Sequence, residues 1–456
     1  MIRFGVILAT LALLAACASP APVTRIAMAP GTLPATKSFG PARPQALRRS
    51  SASFQRDFLR LAFTLESGRA LPVFTRFEGP VSLRLTGRPA SRLTQRDLDN
   101  LIARLRNEAK INISRASSAA PANITIELMD RAALQRAVPN AACFVAPNAS
   151  SWSDFLRNRN NPRMEWTQLT TRRQMAIFIP ADVSAQEIRD CMHEEVAQAL
   201  GPVNDLYDLT DSIFNDDNFH TVLTGFDMAI LRAYYHPSLS SGMSRAQVAA
   251  ALPGIASQLG ASPGGAASPV SPTPISWKRA VQTALGASTR NNLRLGAAQT
   301  AAAIARNQGW RDTRLGFSLY ALGRLSLPQD PDTALAAFAA ADNAFSQLPG
   351  AEIHRAHIGV QTAAFALSSG QAERAIAIVD RHSPAILRAQ NAWLLATMLM
   401  IKAEALQSLG RDKEATTVRL DSLGWARYAF GSETEIRARL TDIQLLARRT
   451  TGEQAQ

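Results

Sequence analysis

Apolar residues recur along this chain at two periods in its first half and at one in its second. Phe54, Phe58, Leu61, Ala62 and Leu65 are three and four apart, one face of a helix closed by Gly68. Val81, Leu83 and Leu85 alternate as a strand, and Leu98, Leu101, Ile102 and Leu105 restore helical spacing after Thr94 as cap. Short β runs follow at Ile111 and Ile113, at Ile124, Ile126 and Leu128, and from Met175 to Ile179. Ser184-Ala185-Gln186-Glu187 then forms a capping box opening a helix that continues to Leu200 and stops at Gly201-Pro202. The pattern predicts a small α+β layer feeding one long helix.

The second half is Ala-rich with helical spacing throughout. Alanines that open the second helix of a pair recur at Ala334, Ala375 and Ala415, a step of roughly 40 residues, with Gly370 and Gly410 at matching turns. The stretch Leu406-Gln407-Ser408-Leu409-Gly410-Arg411-Asp412-Lys413-Glu414-Ala415 resembles a tetratricopeptide-type repeat. That resemblance implies helix pairs stacked into a curved solenoid. The period is longer than that family's, and a plain helical bundle is the alternative.

Composition sets the boundaries. Arg3 followed by apolar Phe4 to Leu14 and Leu14-Ala15-Ala16-Cys17 reads as a signal peptide, residues 1–16, with a lipobox. Cys17 is the expected lipidation site, so membrane lipid is one expected partner. Ala18 in place of Asp, by resemblance to sorted lipoproteins of double-membraned bacteria, favours the outer membrane. The expected location is the cell envelope, facing the periplasm. Residues 17–49, rich in Pro, Ala, Ser and Thr, are expected to be a flexible tether. An α+β domain is expected over 50–254, a Pro/Gly/Ser linker over 255–275, an all-α repeat domain over 276–450 and a tail over 451–456. The net charge of +13 is dispersed arginine and not basic blocks, which argues against a specific nucleic-acid interface.

Cys143 and Cys191 are the cysteines left after Cys17. In an exported chain an even pair invites a disulfide, and two buried thiols are the alternative.

The most informative stretch runs from Cys191 to Asp205, Cys-Met-His-Glu-Glu-Val-Ala-Gln-Ala-Leu-Gly-Pro-Val-Asn-Asp. Its spacing resembles zinc peptidases of the metzincin kind: two ligands one helical turn apart, a glutamate beside the first, and a glycine turn that brings round a third. In that frame Glu194 and Gln198 take the two histidine positions, Glu195 that of the catalytic glutamate, and Asn204, with Asp205 beside it, that of the third ligand. Ser212-Ile213-Phe214 sits where such enzymes carry a Met-turn, and Leu223 to Asp227 starts a helix like their closing one. The string Glu-Glu-Val-Ala-Gln-Ala-Leu-Gly with Asn204-Asp205 and Ser212 to Asp216 is similar to an uncharacterised family of bacterial lipoproteins described as zinc-peptidase-like.

The resemblance implies a zincin-like fold over roughly 55–245, with Glu195 as general base and a divalent cation held by Glu194, Gln198, Asn204 and Asp205. Amide oxygens suit calcium better than zinc, and a site without metal is equally open. The frame starting at His193 puts Ala197 on a ligand position and fails. Asp205, Asp208, Asp211, Asp216 and Asp217 read as a solvated acidic loop, since no spacing fixes a cation site. Two readings therefore stand: a peptidase with a divergent site, or a non-catalytic adaptor that binds a peptide or protein and recruits a partner through the helical repeats.

Overall fold

The computed structural model describes residues 33–453 except 140, 265, 266, 268, 287 and 288, with side chains described as far as 447. The expected signal peptide, Cys17, the tether up to residue 32 and the tail beyond 453 lie outside the described residues.

An α/β region comes first. Helix α1 (Ser51–Phe63) precedes β1 (Val81–Gly87), α2 (Arg92–Asn107), β2 (Ile113–Arg115) and β3 (Ile124–Met129). Then come α3 (Arg131–Ala137), β4 (Phe144–Pro147), α4 (Trp152–Asn158), β5 (Met175–Pro180), α5 (Ala185–Leu200), α6 (Gly225–Tyr234) and α7 (Arg245–Gln258). Among the described residues five strands form one sheet in the order β2-β1-β3-β5-β4. β2, β1, β3 and β5 are parallel, and β4 runs antiparallel to β5 at the edge. The central strands β3 and β5 are buried almost throughout; the unbroken apolar run of β5 suits a strand covered on both faces, while in β3 Thr125 and Glu127 alternate with the apolar residues. The rings of Phe58 and Phe74 each lie 4.9 Å from Tyr234, tying α1 to α6.

Local signals explain several departures from expectation. Helix α1 ends at Phe63, short of Leu65, because Leu65 donates to Arg69 in a turn whose Gly68 adopts φ +81°. The cap of α2 is Ser91, which accepts from the Thr94 amide at 3.0 Å, so Thr94 lies inside the helix. Strand β4 and helices α3 and α4 span four to seven residues, too few to show a period in sequence. Helix α7 runs through Pro253 to Gln258, past the expected start of the linker.

Among the described residues nine helices fill the second region: α8 (Ile275–Leu285), α9 (Asn291–Asn307), α10 (Thr313–Ser326), α11 (Pro331–Ser346), α12 (Glu352–Ser368), α13 (Ala372–Arg388), α14 (Ala392–Ser408), α15 (Asp412–Ala429) and α16 (Glu433–Glu453). They pack most heavily as the pairs α10/α11, α12/α13 and α14/α15. Gly370 and Gly410 both adopt φ +72° and close matching turns, in which Gln371 donates to Ala366 and Arg411 to Leu406. Ala334, Ala375 and Ala415 are fully buried. Helical repeats with a step near 40 residues are therefore present. Among the described residues no helix is long and apolar enough to cross a membrane.

The stretch 35–49, read from sequence as part of the tether, lies along the body. The Lys37 amide donates to Gly424 at 2.9 Å, Phe39 packs on Trp425 at 4.5 Å, and Arg49 pairs with Asp57 and Asp211. Its composition resembles a linker, but aromatic and charged anchors at its two ends hold it down.

Candidate functional site

Helix α5 carries the residues singled out by the zinc-peptidase resemblance, and the fold holds it on three sides. Its start is fixed by the capping box, in which Ser184 accepts from the Glu187 amide and Glu187 accepts from Ser184. Its middle is bonded to the sheet by the Cys143–Cys191 disulfide, with 6.1 Å between the Cα atoms. Its end is capped by Arg172, which donates to the carbonyls of Gln198 (2.5 Å), Ala199 (2.8 Å) and Gly201. On the side facing the repeats, Gln186 accepts from the Trp393 amide at 2.9 Å and Arg189 donates to the Gln390 carbonyl at 2.7 Å.

The candidate residues separate into two groups. Glu194 and Glu66 act electrostatically on both Glu195 and Asp205, and Asp216 acts on Glu194 and Asp205. Glu195 and Asp205 are buried, and Glu195 Oε2 and Asp205 Oδ1 have no hydrogen-bond partner among the described residues. Burial, reinforced by neighbouring carboxylates, pushes the Glu194 carboxyl up to about 8. The same causes raise Glu195, offset only in part by the Val145 backbone, and raise Asp205, which also hydrogen-bonds to Glu66. Asp216, at the outer end of the cluster, accepts from the Tyr207 hydroxyl and is pushed up to about 6 by partial burial. Glu194, Glu195, Asp205 and Asp216 therefore hold their protons above the ordinary carboxylate range.

Asn204 belongs elsewhere. Its amide nitrogen donates to the Arg60 carbonyl at 3.1 Å, so it ties the post-helix loop to the end of α1. Gln198 is half-buried, with its backbone carbonyl taken by Arg172. His193 is buried and accepts from the Leu223 amide at 3.2 Å, a structural role.

These donors do not fit zinc. The set consists of carboxylates and amides, its one nearby imidazole is occupied, and among the described residues no three His, Cys, Asp or Glu side chains converge to hold a metal ion. Calcium, which asks for still more oxygens, fits no better by that geometry.

The acidic loop is not solvated as a unit. Asp208 forms a paired contact with Arg60 at 2.6 and 2.8 Å, and Asp211 pairs with Arg49. Asp217 is buried, accepts from Asn215 at 2.7 Å and lies 3.2 Å from His354 Nε2. Each carboxylate holds a different neighbour, many of them distant in sequence, which spacing along the loop does not show. Phe214, at the Met-turn position, is fully buried, and the loop around it is organised by Asp227, which accepts from Ser212 (2.6 Å), Ile213 (3.0 Å) and Thr224 (2.7 Å).

Residues 51–254 match the model of a family described as a protein of unknown function (DUF2927). The match spans α1 to α7 and so contains α5, the carboxyl cluster and the loop around Phe214. No curated protein and no solved structure matches the chain.

Sequence reasoning missed Glu66 and Tyr207, which reach the cluster from the α1 turn and the post-helix loop. It also missed a cavity of about 810 Å³ beyond the far side of that loop, walled by residues 41–48, the start of α6 and the ends of α12 and α13. No local motif marks either.

Proposed function

We propose that this chain is a lipid-anchored envelope protein whose α/β region has a zincin-like frame but works as a non-catalytic binding module, with a tetratricopeptide-like repeat region that engages a partner. The lipobox ending at Cys17 supports anchoring, and the cysteine pair suits an oxidising compartment. The mixed sheet leading into α5, the turn at Gly201 and the return of the chain through Asp205 support the frame.

One observation carries the non-catalytic reading. Four of the five positions the peptidase frame would use are committed to another task or pushed toward the neutral acid: Asn204 donates to the Arg60 carbonyl, and burial raises the carboxyls of Glu194, Glu195 and Asp205. A carboxyl whose buried surroundings favour its protonated form is less available as a base.

The test uses full-length protein in neutral detergent. It is analysed for bound metal and incubated with unstructured peptides beside a Glu195→Gln variant. The expected outcome is no stoichiometric transition metal and no hydrolysis by either form. Metal at one per chain together with cleavage abolished in Glu195→Gln would establish the peptidase instead.

A further inference from the structure

We infer that the cavity between the strap 41–48 and the helical repeats is the binding site of the proposed module, and that its ligand is an extended acidic peptide segment. This rests on the binding-module reading and adds the place and the chemistry of recognition.

The cavity, about 810 Å³, is within the range of ligand sites. Its charge is unbalanced. Arg43 and Arg48 on the strap and Arg388 at the end of α13 line it, and among the described residues none of the three has an ion-pair or hydrogen-bond partner. Of the two lining carboxylates, Asp211 is already paired with Arg49, leaving Glu352 alone against three guanidiniums. An anionic ligand relieves that excess, and guanidinium favours carboxylate through paired donors.

The strap identifies the ligand as a chain. Pro41 and Pro44 hold it extended, since the residue before each proline is kept out of the helical region. It is pinned at one end by Phe39 on Trp425 and by the Gly40 carbonyl, which accepts from Gln390 at 2.9 Å, and at the other by Arg49. Between these anchors, among the described residues, nothing accepts from the backbone N–H groups of Ala42, Arg43, Gln45 or Ala46. An extended edge with free backbone donors, fixed before the ligand arrives, can pair with a second extended chain. Val222, Phe226, Ile353 and Leu387 supply apolar wall for side chains between the acidic ones.

The experiment measures binding of a labelled peptide of about eight residues, the reach of the strap, with alternating Glu and apolar residues. Its Gln counterpart is run beside it against the full chain in neutral detergent. The acidic peptide should bind at least about tenfold more tightly than the Gln form, and more weakly as salt rises. A triple variant, Arg43→Gln, Arg48→Gln and Arg388→Gln, should lose that preference while keeping its melting temperature, because all three side chains are exposed. Equal affinity for the two peptides overturns the acidic preference but leaves the binding-module reading in place. So does unchanged affinity in the triple variant, which places the site elsewhere. Inorganic phosphate or phosphatidylglycerol vesicles that bind while neither peptide does overturn the peptide assignment. Cleavage of the peptide overturns the binding-module reading itself.

Discussion

The guanidinium of Arg172 donates to the Ala199 carbonyl over 2.8 Å and, with its contacts to Gln198 and Gly201, closes the end of the site helix. It is buried and, among the described residues, has no carboxylate beside it; the helix-end carbonyls, Thr75 and the Trp166 ring 5.3 Å away surround it. The negative end of the helix dipole stands in for a counter-ion.

Arg172→Met should therefore destabilise the fold by about 3 kcal/mol, since it leaves several buried carbonyls unpaired. Urea unfolding measures this. A loss under about 0.5 kcal/mol, the level of an ordinary surface change, would show that water replaces the guanidinium without penalty.

The disulfide closes a separation of 48 residues. Constraining a loop of that size in the unfolded chain is worth about 4 kcal/mol. Cys143→Ser with Cys191→Ser, or reductant on the native protein, should lower the melting temperature accordingly. If reduction leaves the melting temperature unmoved, the bond does not hold α5 against its sheet.

The stability that the Glu194 and Asp190 carboxyls contribute should fall as the pH rises from their ordinary carboxylate values to about 8, a range bounded above by folded values of about 8 and about 7. Glu194 at about 8 and Asp190 at about 7 stand above their ordinary values, so the folded chain holds more protons than the unfolded one over that interval. Their contribution is full below the unfolded values and is lost as pH passes the folded ones. Buried histidines act in the opposite sense. Burial pushes His357 down to about 3 and His193 well below its usual value, so their contribution is full above the unfolded imidazole value and is lost as pH falls. The two trends place the optimum near the middle, slightly acid of neutrality. Melting curves at stepped pH test this, and Glu194→Gln should flatten the alkaline limb. A melting temperature that climbs steadily toward alkaline pH would contradict the carboxyl assignment.

Gly225 is required by close approach. A Cβ there would stand 2.6 Å from the Gln45 carbonyl oxygen, so Gly225→Val must push the strap outward. The cost should be about 1 to 3 kcal/mol, as for other overpacked contacts. Limited proteolysis within 41–48 should become faster; an unchanged cleavage rate would mean that the strap is already detached in solution.

Elements whose signals are local and long enough are legible in the order of residues alone. The capping box at Ser184, the stop at Gly201, the alternation of β1 and β3, the apolar run of β5 and the forty-residue step marked by Ala375, Ala415, Gly370 and Gly410 all appear in the fold. The pairing of Cys143 with Cys191 was legible as well, because an even pair leaves one intramolecular partner. Tertiary structure alone decided what the side chains do. Asn204 turned to Arg60, His193 to Leu223, and Glu66 joined Glu195 and Asp205 from more than a hundred residues away in the chain. Whether a carboxyl carries a charge depends on how much water and which neighbours surround it, and those are set only when distant segments pack. The strap shows the same division: its prolines fix it as extended chain, but only the anchors at Trp425 and Asp57 turn that chain into the wall of a cavity.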